Sequence, residues 1–232
     1  MIDVRSFSQL GAFRNEWLDT RYHFSFSGYH DLQRMGLGPL RVWNDDQVAA
    51  GRGFDPHPHR DMEIITYVRS GAISHRDSLG NVGRTQAGDV QVMHAGTGIV
   101  HAEYNDNAEP VSLFQIWIVP DRRGAEPSWG TRAFPRQGGL AVLASGRSQD
   151  AGTGALRLNA DAAVVAGTLQ KGETVRRAMD VGRAVYLVPA RGSLTINGKL
   201  VNTRDGAAIT DEGELVIVAN DKAELVLVDV AA

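Results

Sequence analysis

The sequence predicts an all-β protein made of two antiparallel barrels in tandem. Two observations carry this. Short runs rich in Val, Ile and Leu alternate with Gly, Asn and Asp turn signals, and Gly is frequent at 26 residues. The second half also repeats the strand grammar of the first.

Near the start, one brief helix is expected around Gly11–Leu18. Strand-forming runs follow at Glu63–Val68, Asp89–Met93, Ser112–Val119, Ala184–Pro189, Leu194–Ile196, Glu214–Val218 and Glu224–Val228. The sharpest hairpin signal is Asn197-Gly198, entered by Leu194-Thr195-Ile196 and left by Lys199-Leu200-Val201. In the first half, Ile64–Ile73 leads through a turn to Gly88–Met93; in the second, Ala184–Leu194 leads to Asp205–Thr210. Between the halves, Pro120 to Gln137 carries Pro120, Pro127, Pro135, Gly124 and Gly130 among charges, the composition of a linker. The expected domains are 1–130 and 131–232.

Composition narrows the function. With 43% hydrophobic and 22% charged residues over 232, the chain is long enough for one large or two small cores. A net charge of −3, from 24 basic and 27 acidic residues, lacks the footprint of a dedicated nucleic-acid binder. The pairs Arg122–Arg123 and Arg176–Arg177 read as solvated edges. There are no cysteines, so any metal site must use nitrogen and oxygen ligands. That absence also fits a reducing compartment. Met1–Arg5 holds no apolar signal core, and no apolar run approaches the roughly 20 residues that span a bilayer. A cytoplasmic protein without membrane contact is expected.

All seven histidines lie at or before position 101. The informative segment is Phe54-Asp55-Pro56-His57-Pro58-His59-Arg60-Asp61-Met62-Glu63. Pro56 and Pro58 favour extended backbone, and on a strand His57 and His59 then share one face. Neutral imidazoles side by side suit a borderline divalent metal. In Gly96–Asn105, His101 and Glu103 again stand two apart. Two antiparallel strands with these pairs inward would gather three nitrogens and one oxygen, with room left for exogenous ligands. Glu63 shares the parity of both histidines and is an alternative oxygen ligand, or a residue that orients an imidazole. His75 and His94 are read as supporting or structural, and His23 and His30 as unassigned surface or lining residues. Phe54, Met62, Tyr67 and Met93 are candidates for an apolar wall.

These motifs resemble the cupin superfamily and, within it, the pirin family. Gly51, His57, His59 and Glu63 match the first cupin pattern, with Gly71 one place late. Gly88, Gly96, His101 and Asn105 match the second, with His94 in place of a proline and a longer loop before His101. Pro56–Arg60, His75–Ser78, Gly88–Met93 and Gly98–Glu103 follow the pirin version, closest to bacterial pirin-like quercetinases. The resemblance implies a bicupin of jelly-roll type with metal in the N-terminal barrel alone. It implies the ligands His57, His59, His101 and Glu103. One divalent transition metal ion per chain follows, usually iron, although the ligand set also admits copper, nickel, cobalt, manganese or zinc.

The implied activity is quercetin 2,3-dioxygenase chemistry, in which dioxygen opens the flavonol heterocycle and carbon monoxide leaves. Glu103 would be ligand and catalytic base together. The alternative implied by eukaryotic pirins is a redox-responsive regulatory protein that binds a protein partner. A purely structural metal fits poorly, because such sites close their coordination shell. A monomer is expected, since paired barrels cover each other's apolar faces.

Overall fold

The computed structural model describes residues 1–134 and 138–232. Pro135 and Gln137, at the end of the expected linker, lie outside the described residues. Among the described residues the regular structure is strand, apart from single 3-10 turns at Phe7–Gln9 and Ser148–Asp150. No helix is long and apolar enough to cross a membrane.

Each half is a jelly roll of one seven-stranded and one four-stranded sheet, which remain separate rather than closing into a continuous barrel. The large N-terminal sheet runs Ser128–Arg132, Val90–His94, Glu63–Ser70, Val111–Ile118, Leu40–Val48, Leu18–Tyr22, Gly11–Arg14. Its C-terminal counterpart runs Ile2–Arg5, Gly206–Thr210, Arg183–Arg191, Ala223–Ala231, Ala162–Leu169, Gly139–Ser145, Leu156–Arg157. The small sheets run Gly53–His59, Ile99–Tyr104, Ala72–Asp77, Val82–Gln86 and Thr174–Ala178, Glu214–Ala219, Leu194–Ile196, Lys199–Val201. The inner strands of the two halves correspond in order, which is the repeat seen in the sequence, while the edges differ: Leu156–Arg157 pairs parallel with its neighbour and Gly11–Arg14 antiparallel. The outermost strand Ile2–Arg5 pairs with Gly206–Thr210, so the start of the chain completes the C-terminal sheet.

The two large sheets pack face to face. Ile65, Tyr67, Val92, Phe114 and Ile116 meet Val164, Tyr186, Val188, Val226 and Val228 in one buried layer. Strands covered on both faces explain why these segments read as almost continuous apolar runs. Trp43 sits at the centre, with ring centroids 5.4 Å from Phe114 and 5.5 Å from Tyr186. Polar pins cross the same layer. The Tyr67 hydroxyl donates to Glu224 at 2.6 Å, and buried Asp45 accepts from Arg69 and Arg204.

The interiors differ. The C-terminal jelly roll is filled by Val185, Leu187, Leu215, Ile217, Leu225 and Leu227. The N-terminal one has an apolar cluster at each end, Val68, Ile73 and Leu113 at one and Ile64, Met93 and Ile99 at the other. Between them lie Thr66, Gln91 and Gln115, opposite one another in adjacent strands.

Three expectations need correction. Gly11–Leu18 is a hairpin, not a helix: Gly11 pairs with Tyr22, and the Asn15 side chain accepts from the Trp17 and Leu18 amides to make the turn. Tyr67 points away from the candidate site into the layer between the halves, because it has the opposite parity to Thr66. His23 is not a surface residue. It is fully buried, with its Nδ1 2.9 Å from the Tyr186 hydroxyl, a partner supplied by the other half of the chain. His30 is exposed.

Burial, and then the charges of Arg204, Arg34 and Arg69, push His23 down to about 3. An unfolded histidine binds its proton near pH 6.5, so below about that pH the unfolded chain holds the extra proton and stability falls with pH. Urea unfolding of His23→Gln should therefore show a shallower loss of stability than wild type between about pH 6.5 and 4. Parallel slopes would mean that His23 does not contribute.

Candidate metal centre

The site begins with a proline-spaced strand at the edge of the small N-terminal sheet. Prolines are tolerated there because an edge strand has amides with no ladder partner. In Gly53–His59, exposed Pro56 and Pro58 face outward and His57 and His59 face in. Ile99–Tyr104 runs antiparallel to it, with His101 opposite His57 and Ile99 opposite His59. A bulge then brings Glu103 opposite Phe54. The crossing is tight at Gly53, where a Cβ would stand 2.1 Å from the Glu103 carbonyl oxygen.

The three imidazoles converge. Their ring centroids lie 4.5 Å (His57 to His101), 4.8 Å (His57 to His59) and 5.0 Å (His59 to His101) apart. The Nε2 atoms of His57 and His101 are 3.1 Å apart. His57 Nδ1 donates to the Asp55 carbonyl at 2.7 Å, which leaves its Nε2 as a lone pair. His59 Nε2 is buried and has no hydrogen-bond partner. Burial first, then the neighbouring His101 and His57, pushes His59 down to about 4. Burial, then His57 and His75, pushes His101 to about 3. Both are therefore neutral near pH 7, the form that donates a lone pair to a metal.

Glu103 is 2% exposed and lies deeper. Oε1 accepts from Gln91 Nε2 at 2.5 Å and Thr66 Oγ1 at 3.3 Å, and Oε2 from Gln115 Nε2 at 2.9 Å. Both amides are themselves oriented: Thr85 donates to Gln91 Oε1, and the Trp117 indole donates to Gln115 Oε1. The three partners of Glu103 are neutral. A buried carboxylate held by neutral donors, within 4.8 Å of a ligand nitrogen of His101, is a donor that suits a divalent cation. Asp46, also buried, is pushed up to about 7 by burial and then by the charges of Asp45 and Glu103.

Two groups of described side chains place ligand atoms within 4.8 Å of one another: His57, His59 and His101, and His75, His101 and Glu103. The structure thus brings together the three predicted histidines and sets Glu103 against His101. Glu63 lies elsewhere. The strand that carries His57 and His59 ends at a turn with Asp61 at φ 48°, so the parity argument does not extend across it. Glu63 instead pairs with His94 and accepts from the Asn159 amide at 3.0 Å. Met62 and Met93 pack at the Ile99 end of the interior, and Phe54 at the other, with its ring 6.4 Å from His57. Trp117 stands edge-on to His59 at 4.9 Å, with Phe26 behind it at 5.5 Å. A cleft of about 380 Å³ bordered by His59, Arg60, Gly98 and Ile99 opens beside the histidines.

Sequence reading missed Thr66, Gln91, Gln115 and Trp117. The signal was there for the first three: each is a polar residue flanked on both sides by apolar or aromatic ones. Gln115→Leu removes one donor and leaves a buried carboxylate oxygen unpaired. It should cost about 1–3 kcal/mol in urea unfolding, while Gln115→Glu paired with Glu103→Gln should recover part of the loss.

Comparison with known proteins identifies the family. Residues 3–118 match the family model Pirin, and residues 145–230 match the model for the quercetinase C-terminal cupin domain. A pirin-like protein of Caulobacter vibrioides is 54% identical over 100% of both chains. A quercetin 2,3-dioxygenase of Escherichia coli K12 is 42% identical, over 99% of this chain and 98% of its own. The crystal structure of the bacterial pirin YhhW from Escherichia coli, in complex with nickel(II), superposes with a TM-score of 0.95 at 40% identity, over 100% of this chain and 99% of that one. The chain belongs to the pirin family, as a two-domain cupin whose candidate metal ligands lie in its N-terminal half.

Proposed function

We propose that this protein is a metal-dependent dioxygenase acting on flavonols such as quercetin. One divalent transition metal ion would be held by His57, His59, His101 and Glu103. The observation that carries the reading is the convergence of three imidazoles, two with facing Nε2 atoms 3.1 Å apart and the third buried without a partner. The quercetinase name of the Escherichia coli relative supports the substrate class, and the nickel(II) complex of YhhW supports one transition metal. Iron remains the metal implied by the family resemblance.

When bound, the metal supplies a Lewis-acid centre at which the flavonol and dioxygen meet. The chain supplies the rest. His59 and His101, kept neutral, act as lone-pair donors. Glu103 accepts the proton of the flavonol hydroxyl, and its cage of Gln91, Thr66 and Gln115 fixes where that proton goes. Trp117 and Phe26 offer aromatic surface for flat rings beside His59. Both atoms of dioxygen enter the ring-opened product and one ring carbon leaves as carbon monoxide. In this reading the chain works as a monomer in the cytoplasm without a nucleic-acid partner, and the apolar faces of its large sheets are covered by each other.

Two measurements test this. Elemental analysis of wild type should find one transition metal per chain, lost in His57→Ala/His101→Ala together with dioxygen uptake on quercetin. Metal without oxygen uptake would move the weight to a regulatory, partner-binding pirin; metal retained in the double variant would sink the ligand set. Separately, Glu103→Gln should lower quercetin turnover at least about 100-fold, the usual contribution of a general base. Full turnover with metal retained would remove Glu103 from that role.

A further inference from the structure

We propose that His75 and Asp77 are positioning residues that fix the tautomer of His101 and so aim its Nε2 lone pair at the metal position. The inference rests on the metal-site reading above. It follows from a chain of donors and acceptors that runs from Asp77 through His75 to His101.

Asp77 Oδ1 accepts from the Leu79 amide at 2.9 Å and the Asn81 amide at 3.0 Å, and Oδ2 from Asn81 Nδ2 at 2.9 Å. Oδ2 also faces His75 Nε2 at 3.0 Å, and both of these side chains are fully buried. A carboxylate among donors only accepts, so His75 Nε2 carries the hydrogen. In a neutral imidazole Nδ1 of His75 is then a lone pair. That lone pair faces His101 Nδ1 at 3.5 Å and so favours the His101 tautomer with its hydrogen on Nδ1 and Nε2 bare. His101 Nε2 lies 3.1 Å from the bare Nε2 of His57, so this tautomer is the one a cation between the two lone pairs selects; without a cation, His101 Nε2 would itself donate to His57.

The sheet enforces this order. Ala72–Asp77 pairs with Ile99–Tyr104 so that Asp77 stands opposite His101 and His75 opposite Glu103. The His75 ring cannot swing, because Trp129 stacks on it at 4.7 Å with an interplanar angle of 10°. Trp129 in turn presses on bare backbone at Gly83, where a Cβ would stand 2.1 Å from the indole. A partner that orients a ligand imidazole typically contributes 10- to 100-fold in metal affinity.

The test uses the full chain with nickel(II) as probe. Asp77→Asn and His75→Phe should each bind nickel(II) about 10- to 100-fold more weakly by calorimetry, still one ion per chain. Binding within about twofold of wild type in both variants would overturn the proposal. So would complete loss in His75→Phe with an altered cobalt(II) spectrum, since His75 would then be a ligand itself. Because Asp77 also ties a turn, a second measurement uses wild type alone. Long-range nitrogen–proton correlation NMR of the protein loaded with diamagnetic zinc(II) should show His75 protonated on Nε2 and His101 protonated on Nδ1; His101 bound to the ion through Nδ1 overturns the inference. If His57→Ala/His101→Ala binds nickel(II) as wild type does, the metal-site reading fails. If that variant loses the metal while both positioning variants keep full affinity, this inference alone falls.

Discussion

The register between Gly53–His59 and Ile99–Tyr104 is the constraint on which the candidate site depends. Side chains on a strand alternate, so a slip by one residue would turn Pro56 and Pro58 inward and the imidazoles to solvent. With His101 opposite His57, three ring nitrogens converge without any loop having to hold them. The bulge after His101 lets Glu103 reach the amides of the large sheet, while Ala72–Asp77 brings His75 and Asp77 behind His101. The candidate metal ligands come from one pair of strands, and the groups that hold them come from the next strand of the same sheet and from the large sheet packed against it.

A polar interior has to be offset elsewhere, because buried polar groups are tolerated only when hydrogen-bonded. The C-terminal half provides the contrast. Its strands Thr174–Ala178 and Glu214–Ala219 occupy the places of the two ligand-bearing strands, yet contribute Val175, Leu215 and Ile217 to an apolar core. The layer between the large sheets adds Trp43, Phe114 and Tyr186. One half carries the candidate site, and the other, with the layer between them, supplies much of the apolar burial.

Most of the fold was legible in the sequence because period-two alternation and turn residues are local signals. The paired histidines were legible for the same reason, since two residues two apart on a strand share a face whatever surrounds them. The failures were non-local. Phe13, Trp17 and Leu18 have a helix-like spacing, and only the Asn15 turn and pairing to Leu40–Val48 make that segment a hairpin. Nothing near His23 announces Tyr186, which lies 163 residues away. The parity of Glu63 was sound, but a turn at Asp61 ended the strand over which it applied. Gln91, Thr66 and Gln115 were each visible as a polar interruption, but their meeting on Glu103 needed the strand order.

The strand Ile2–Arg5 has a consequence in time. Its partners, Gly206–Thr210, are synthesised about two hundred residues after it. During synthesis this strand therefore waits, unpaired, while the half that follows it in sequence forms, and the C-terminal sheet lacks an edge until the two segments meet. Such long-range pairing slows folding and leaves an open sheet edge exposed to other chains. A lesion in the first few residues would then show itself as aggregation during synthesis, at the opposite end of the molecule from the place where it was made.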